Sequence, residues 1–396
     1  MSSTTLTAHA GDSSTPTRTG LQITLMAIAA FVIVTTEFLI IGLLPALAKD
    51  LNISIAMAGQ LVTLFAFTVM LFGPVLTARL AHVDRRQLFT FILLVFAASN
   101  VLAAVSPNIW VLALARFVPA LLLPVFWGTA SETAGQLAGP AHAGKAVANV
   151  YMGISAALVF GIPLGTLAAD SVGWRGSLWI LAGLCLLIGL LIRVFMPTLP
   201  SAPKRDTADK QTQIFKDPRF LTHVVLSILV FTAMFTAYTY LADTLQRLAG
   251  IAPSQVGWWL MGFGVVGMLG NHVGGRLVDR SPLGSTVLFL ALLAAGMLAA
   301  TPLASQHGWL IVALIVWGIA YTALFPICQV RVMRAGAKAQ ALAATMNISA
   351  ANAGIGMGAI LGGLGIRHLG LESLGIISAG IAAIAIVIAL LLMRRQ

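Results

Sequence analysis

The sequence predicts an all-α polytopic membrane protein with twelve transmembrane helices in two six-helix halves. Three observations carry that reading. Hydrophobic residues make up 59% of the chain and charged residues 9%, with a mean hydropathy of +0.96, whereas soluble globular chains carry about 25% charged residues. Apolar runs long enough to cross a bilayer recur from end to end. One long polar stretch, Pro197 to Arg219, divides those runs six and six.

The elements follow in order. Residues 1–20 are rich in Ser and Thr and nearly uncharged, which predicts a disordered tail. The N-terminal bundle, 21–196, holds spans near 21–47, 56–78, 87–105, 110–136, 145–169 and 177–196. A linker at 197–220 leads to the C-terminal bundle, 221–396, with spans near 221–245, 254–275, 284–304, 309–330, 340–366 and 371–393. Ala46-Leu47-Ala48 imitates a signal-peptide cleavage site. The apolar core before it is too long for an h-region of about 7–15 residues, so span one is read as a retained helix.

The net charge of +11 is a matter of topology. Of 23 lysines and arginines, only Lys49, Arg175, Arg247 and Arg367 fall on the side opposite both termini, and Arg116 lies within a span. Such a bias predicts cytoplasmic termini. A nucleic-acid binder would instead gather its charge on one folded face.

Glu37 is a carboxylic acid in an otherwise uncharged run from Leu21 to Ala48. An acid at the centre of such a helix costs about 2.5–3.5 kcal/mol, and intramembrane acids commonly mark proton relays or substrate paths. It is therefore the first candidate for a transported-proton site, with Arg116 as its partner. Arg116 lies roughly 9 Å and Glu37 roughly 12–15 Å from the same membrane face at 1.5 Å per residue. A buried arginine needs a partner or water, and Arg116 is expected to hold the empty carboxylate. Three further polar groups have blander readings that lead: Asp243 as a solvated helix end over a second proton or substrate group, Glu132 as hydrated near the cytoplasmic side, and His272 as neutral and satisfied by backbone over an imidazole that titrates near neutrality. Cys185 and Cys328 lie in different halves without metal spacing and are read as packing residues.

The halves repeat. Gly73 and Arg79-Leu80 correspond to Gly270 and Arg276-Leu277 at an offset of 197, and Met152-Gly153-Ile154-Ser155-Ala156-Ala157 corresponds to Met346-Asn347-Ile348-Ser349-Ala350-Ala351 at an offset of 194. Parallel duplication of this kind belongs to transporters with a site between the halves near the midplane.

Four stretches resemble the major facilitator superfamily, in its branch of twelve-span drug–proton antiporters. Thr35-Thr36-Glu37-Phe38, continuing to Leu51, is similar to the first-helix signature of bacterial sugar, arabinose, purine-nucleoside and chloramphenicol exporters. Ala78-Arg79-Leu80-Ala81-His82-Val83-Asp84-Arg85-Arg86 is a degenerate copy of the loop that the family places after span two, with Asp84 as a substitute acid. Gly274-Gly275-Arg276-Leu277-Val278-Asp279-Arg280 is the regular copy after span eight. Arg116 matches the arginine of the span-four motif, with Ala120 where glycine is expected. Gly153, Gly161, Pro163 and Gly165, followed by Gly173-Trp174-Arg175, resemble the antiporter motif of span five.

This resemblance implies a monomeric, proton-driven exporter of the bacterial inner membrane that needs no cofactor or metal. Asp84, Arg85, Arg86, Gly275, Asp279 and Arg280, with Gly161, Pro163 and Gly165, would gate it. Substrate candidates are Phe126, Trp127, Tyr238, Tyr240, Gln329, Asn347 and Asn352, because aromatic faces with a few amides suit small neutral molecules. At most one of Tyr238 and Tyr240 is expected to face the cavity. A sugar such as arabinose or a thiogalactoside leads, with purine nucleosides or chloramphenicol-like drugs as the alternative. No span carries the polar stripe of a channel. The chain also has no H-E-x-x-H, G-x-S-x-G or Cys–His cluster that would suggest an enzyme.

Overall fold

The computed structural model describes residues 16–80, 83–139, 143–198, 216–337 and 340–394. Residues 1–15 of the expected tail and 199–215 of the expected linker lie outside the described residues, as do Ala81 and His82 of the loop after span two. Helix begins at Pro16, within the stretch expected to be tail. The described residues are almost entirely helical.

Ten helical stretches are long and apolar enough to cross a membrane, and one of them, Asn149–Phe195, is 47 residues long. At 1.5 Å per residue it would run roughly 70 Å, more than twice a hydrocarbon core of about 30 Å. It is two spans, divided at Gly173, where φ is 73° and ψ 163°. Pro253–Arg280, 28 residues long, is the remaining crossing. Its glycines, His272 and Arg276 dilute its apolar character. Twelve spans result, and both described ends lie on one face, here the terminal face, opposite the far face.

Helix starts follow from local chemistry. The side chains of Asp84, Asn108, Asp217 and Ser281 accept hydrogen bonds from backbone N–H groups of Gln87, Trp110, Arg219 and Gly284. Short polar side chains satisfy the orphan donors of a first turn in this way. Pro218, Pro253 and Pro282 occupy first-turn positions, where a missing N–H does no harm.

The Gly-Trp-Arg stretch is a far-face clasp. The turn at Gly173 lets Trp174 Nε1 donate to Asp50 at 3.2 Å. Arg175 pairs with the same carboxylate, donates to Ser106 O at 3.0 Å and lies 4.2 Å over the Trp174 ring. The ends of spans one, three and six are thereby tied together.

Span five runs from Ala143 to Ala156, widens into a π-helical turn at Ala157–Gly161 and continues from Ile162. Pro163 supplies no N–H, which loosens the ladder at that point. Gly161 and Gly165 lie so close to Thr35 and Leu39 of span one that neither has room for a Cβ. Span seven is also interrupted, ending at Tyr238 and resuming over Leu241–Arg247.

Spans four and ten pack within their own halves, whereas two packs on eleven and five on eight across the molecule. The crossing contacts lie from mid-membrane to the far face. Gly59 abuts Tyr240, Gly356 abuts Phe67, Gly42 approaches Leu260, and Gly264 lies against Leu158 O. Thr63 Oγ1 donates to Gly356 O at 3.2 Å. The halves therefore close at the far face and part toward the terminal face.

Gly173 generates the first prediction. Its backbone conformation is essentially restricted to glycine, while a Cβ there would meet nothing within 4 Å. Gly173→Ala should lower stability by about 1–3 kcal/mol through backbone strain alone, read by unfolding in detergent. Asn, which tolerates the left-handed helical region but not this one, should not rescue it. Wild-type stability in the alanine variant would show that the turn is unstrained.

Candidate functional site

The site begins with Arg116, on a helix that runs Ile109–Ala138. Its side chain is buried, at 6% exposure. The fork of the guanidinium grips the main chain of span one: Nη1 donates to Thr36 O at 2.6 Å and Nη2 to Glu37 O at 2.6 Å. These carbonyls already serve the helix ladder, and a carbonyl oxygen has a second lone pair for the arginine. The cation also lies 4.4 Å from the centre of the Phe65 ring. Asn100 Nδ2 donates to Thr36 Oγ1 at 3.1 Å, fixing the same turn from span three.

This differs from the ion pair expected between Arg116 and the Glu37 carboxylate. Glu37 is half-buried, and its carboxyl forms no hydrogen bond or ion pair among the described residues. The guanidinium is close enough for its charge to act on that carboxyl. The arrangement is a cation held by main chain beside an acid that it does not bond.

Beyond Glu37 lies an aromatic cluster built mainly by the other half. Phe38 meets Phe235 across the interface with ring centres 6.1 Å apart. Tyr238 stacks on Tyr321 at 4.4 Å and on Phe263 at 5.6 Å. Tyr321 is close enough to Glu37 to feel its charge. Phe325 continues the cluster, 5.6 Å from Tyr321 and 5.2 Å from Phe231.

The other candidates fall into separate places. Phe126 is fully buried within the first half, edge-on to Phe89 and Trp127. Trp127 is half-buried and lies 5.1 Å from Tyr151. Tyr240 is wholly buried, its hydroxyl donating to Ala359 O at 2.8 Å, and it packs against Gly59 at the far-face closure. Asn347 and Gln329 bond to each other at 2.7 Å. Asn352 donates to Ile348 O, while its Oδ1 is buried without a partner.

Of the gating candidates, Asp84 caps span three. Arg85 is fully buried and pairs with Glu132 at 2.9 Å, so Glu132 is an ion-pair partner as well as partly hydrated. Arg86 is partly buried at the same helix start. Asp279 pairs with Arg334 at 3.0 Å on the terminal face, where Arg280 is exposed and Gly275 has open space around it. Asp243 is not a solvated helix end: it is 4% exposed and pairs with Arg247 one turn on. His272 is exposed on span eight.

Sequence reasoning missed Arg331. Ending span ten near residue 330 placed it among the loop cations, but the helix runs to Ala335 and Arg331 is 1% exposed. The available signal was its position on an apolar face, one turn before Ala335.

A twelve-span helical bundle parted between two six-span halves, with an acid and an arginine at the parting, defines a membrane transporter. The family model of the Major Facilitator Superfamily matches residues 26–335 and 224–396, and the chain belongs to that superfamily. It is 36% identical over 338 residues to the inner membrane transport protein YdhP of Escherichia coli K12, covering 85% of this chain and 87% of that one. It is 30% identical over 372 residues to the chloramphenicol efflux pump Rv0191 of Mycobacterium tuberculosis H37Rv, covering 91% and 90%. Among solved structures, a bacterial homologue of the human lysosomal transporter Spinster, inward-facing, shares the fold with a TM-score of 0.79 at 16% identity, covering 96% and 98%. The nucleoside transporter NupG shares it with a TM-score of 0.75 at 15% identity, covering 95% and 98%.

The grip of Arg116 on main chain separates two kinds of support. If those carbonyl bonds hold span one, Arg116→Lys should lower stability by about 1.5–3 kcal/mol, because an ammonium cannot reproduce the fork. Glu37→Gln should leave stability within about 0.5 kcal/mol, since no bond to the carboxylate is lost. A loss near 3–5 kcal/mol in Glu37→Gln would mean that a buried ion pair is the true support.

Proposed function

We propose that the protein is a proton-coupled efflux transporter of the bacterial inner membrane, a monomer with both termini in the cytoplasm. It exports a small, flat, largely apolar compound with a few polar groups, of the amphenicol type, by alternating access. The observation that carries this reading is Glu37: a half-buried carboxyl, without a hydrogen bond or ion pair among the described residues, between the fixed charge of Arg116 and an aromatic cluster from the opposite half. With cytoplasmic termini, the cleft opens inward. Glu37 then releases its proton to the cytoplasm, takes another when the cleft faces out, and its change of charge biases the rocking of the halves.

Two things support an amphenicol over a sugar. The surroundings of Glu37 are packed rings, and two amides that could have read hydroxyls, Gln329 and Asn347, are engaged with each other. The similarity to a chloramphenicol efflux pump points the same way. Export of a sugar such as arabinose or a thiogalactoside is the second reading, suggested by the first-span signature and favoured by the unpartnered Oδ1 of Asn352. Gating at the terminal face falls to Arg85, Arg86, Asp279 and Arg280, and the pivot to Gly161, Pro163 and Gly165.

The test is uptake into proteoliposomes with an imposed proton gradient. Labelled chloramphenicol should move uphill only with the gradient, arabinose should not, and Glu37→Gln should stop uphill movement while retaining binding. Gradient-driven movement of arabinose alone would establish the second reading. Uphill transport by Glu37→Gln with unaltered pH dependence would remove Glu37 from the coupling.

A further inference from the structure

Arg331 is a buried guanidinium with no acidic partner among the described residues, a costly group to keep inside a membrane bundle. It lies between spans seven, ten and eleven. Its Nη2 donates to Ser227 Oγ at 2.8 Å, and Ser227 donates to Asn347 Oδ1 at 2.8 Å. Asn347 Nδ2 in turn donates to Gln329 Oε1 at 2.7 Å. Arg331, Ser227 and Asn347 are all at least 97% buried, whereas Gln329 is partly exposed.

The direction of this chain follows from its first member. A guanidinium only donates, and it stays protonated. Ser227 must accept from it and pass its own hydroxyl proton onward. Asn347 must then turn its oxygen to Ser227 and its amide hydrogens to Gln329. One lone pair of the Gln329 oxygen is taken, which fixes the orientation of the amide, and the donors left over are those of its NH2 group, whose other neighbour is Met333 Sδ at 3.6 Å, a weak acceptor.

Gln329 lies one and two helical turns beyond Phe325 and Tyr321, on the stripe that carries the aromatic cluster past Glu37. Tyr321 is buried, while Phe325, Gln329 and Met333 are partly exposed, so the stripe emerges into the cleft toward the terminal face.

We propose that Arg331 is a positioning residue. Through Ser227 and Asn347 it orients Gln329 so that the cleft presents N–H donors at that point. The transporter thereby selects compounds that bring an acceptor there, such as a carbonyl, nitro or sulfonyl oxygen, over compounds that bring only donors. The substrate part rests on the efflux reading above, whereas the relay itself does not.

Two measurements on protein in lipid nanodiscs test this. The first is solvent exchange of the side-chain amides of Asn347 and Gln329, followed by nuclear magnetic resonance. Asn347 should be protected in the wild type, and Ser227→Ala, which cuts the relay and leaves Arg331 Nη2 only the weak acceptor Cys328 Sγ at 3.6 Å, should speed its exchange by about tenfold or more. Unchanged exchange overturns the relay, whether or not the wild type binds chloramphenicol. The second is chloramphenicol binding to Gln329→Glu, which still accepts from Asn347 but loses its free N–H donors. Affinity should fall by about tenfold, and by less than about threefold when Ser227→Ala is also present. Equal losses in both backgrounds, or no loss at all, overturn the selective role. Failure of the wild type to bind chloramphenicol would remove the amphenicol reading and leave the exchange result to decide the relay.

Discussion

A guanidinium cannot shed its proton in a protein interior, so a buried arginine must be fully occupied or its burial is costly. Both arginines that matter here are held without an acid and are only partly occupied: the Nε of each, and Nη1 of Arg331, are buried without a partner. Arg116 spends its two terminal nitrogens on the carbonyls of Thr36 and Glu37, and Arg331 spends one on Ser227. In each half a permanent charge is thus anchored on neutral oxygen. An arginine locked to a carboxylate would lose its main bond each time that carboxylate took up a proton. Anchored on backbone, Arg116 keeps its place through such a change, and Glu37 is free to titrate without loosening the contact between spans one and four.

The two halves join spans one and five, and seven and eleven, by different means. In the first half Gly153 lies directly against Ala27 O and the Ala30 side chain. In the second half Gly354 lies in the same way against Ile228 O and the Phe231 side chain, and Ser227 and Asn347 add a hydrogen bond. Close apposition of small residues is a common means of holding membrane helices together, and polar side chains are the other. The glycine contact of span five is thus echoed in span eleven. The acid and its arginine have no such echo: positions 197 residues after Glu37 and Arg116 are Met234 and Ala313.

The membrane fold was legible in the sequence because bilayer burial demands long apolar runs, and twelve such runs are visible without any knowledge of packing. The break between residues 169 and 177 and the starts near 221, 254 and 284 were legible from where the apolar runs stop and resume, within a few residues of Gly173, Pro218, Pro253 and Pro282. Which nitrogen meets which oxygen was not. Similar depth brought Glu37 and Arg116 together on paper, but depth does not distinguish a carboxylate from the two carbonyls beside it. Tyr240 and Phe126 carry the same aromatic character as Tyr321 and are as buried, yet Tyr321 lies near Glu37 and the first two pack elsewhere. Tyr321 drew no attention in the sequence, because only tertiary packing sets its ring against Tyr238. Arg331 and Asp243 were misjudged for one reason: a charge near a span end reads as solvated, and a few residues of extra helix or one i,i+4 partner reverse that.

The chemistry of the far-face closure suits a joint that must open. Its crossing contacts are glycine faces against Tyr240, Phe67 and Leu158, with Thr63 donating to Gly356. In lipid such contacts are held by dispersion and shape, because no hydrophobic effect favours helix over tail. Individual atom pairs contribute only about 0.1–0.2 kcal/mol. They are lost gradually as the halves rock, and lipid or water can replace them. The strong polar bonds behave differently. Arg175 with Asp50, Arg85 with Glu132, Asp279 with Arg334 and the Arg331 relay all lie within one half. Polar bonds that hold each half rigid, and apolar glycine faces that hold the halves to each other, place the softest contacts where the motion has to occur. Such a division would suit the proposed coupling, in which one proton on Glu37 shifts the balance between the halves.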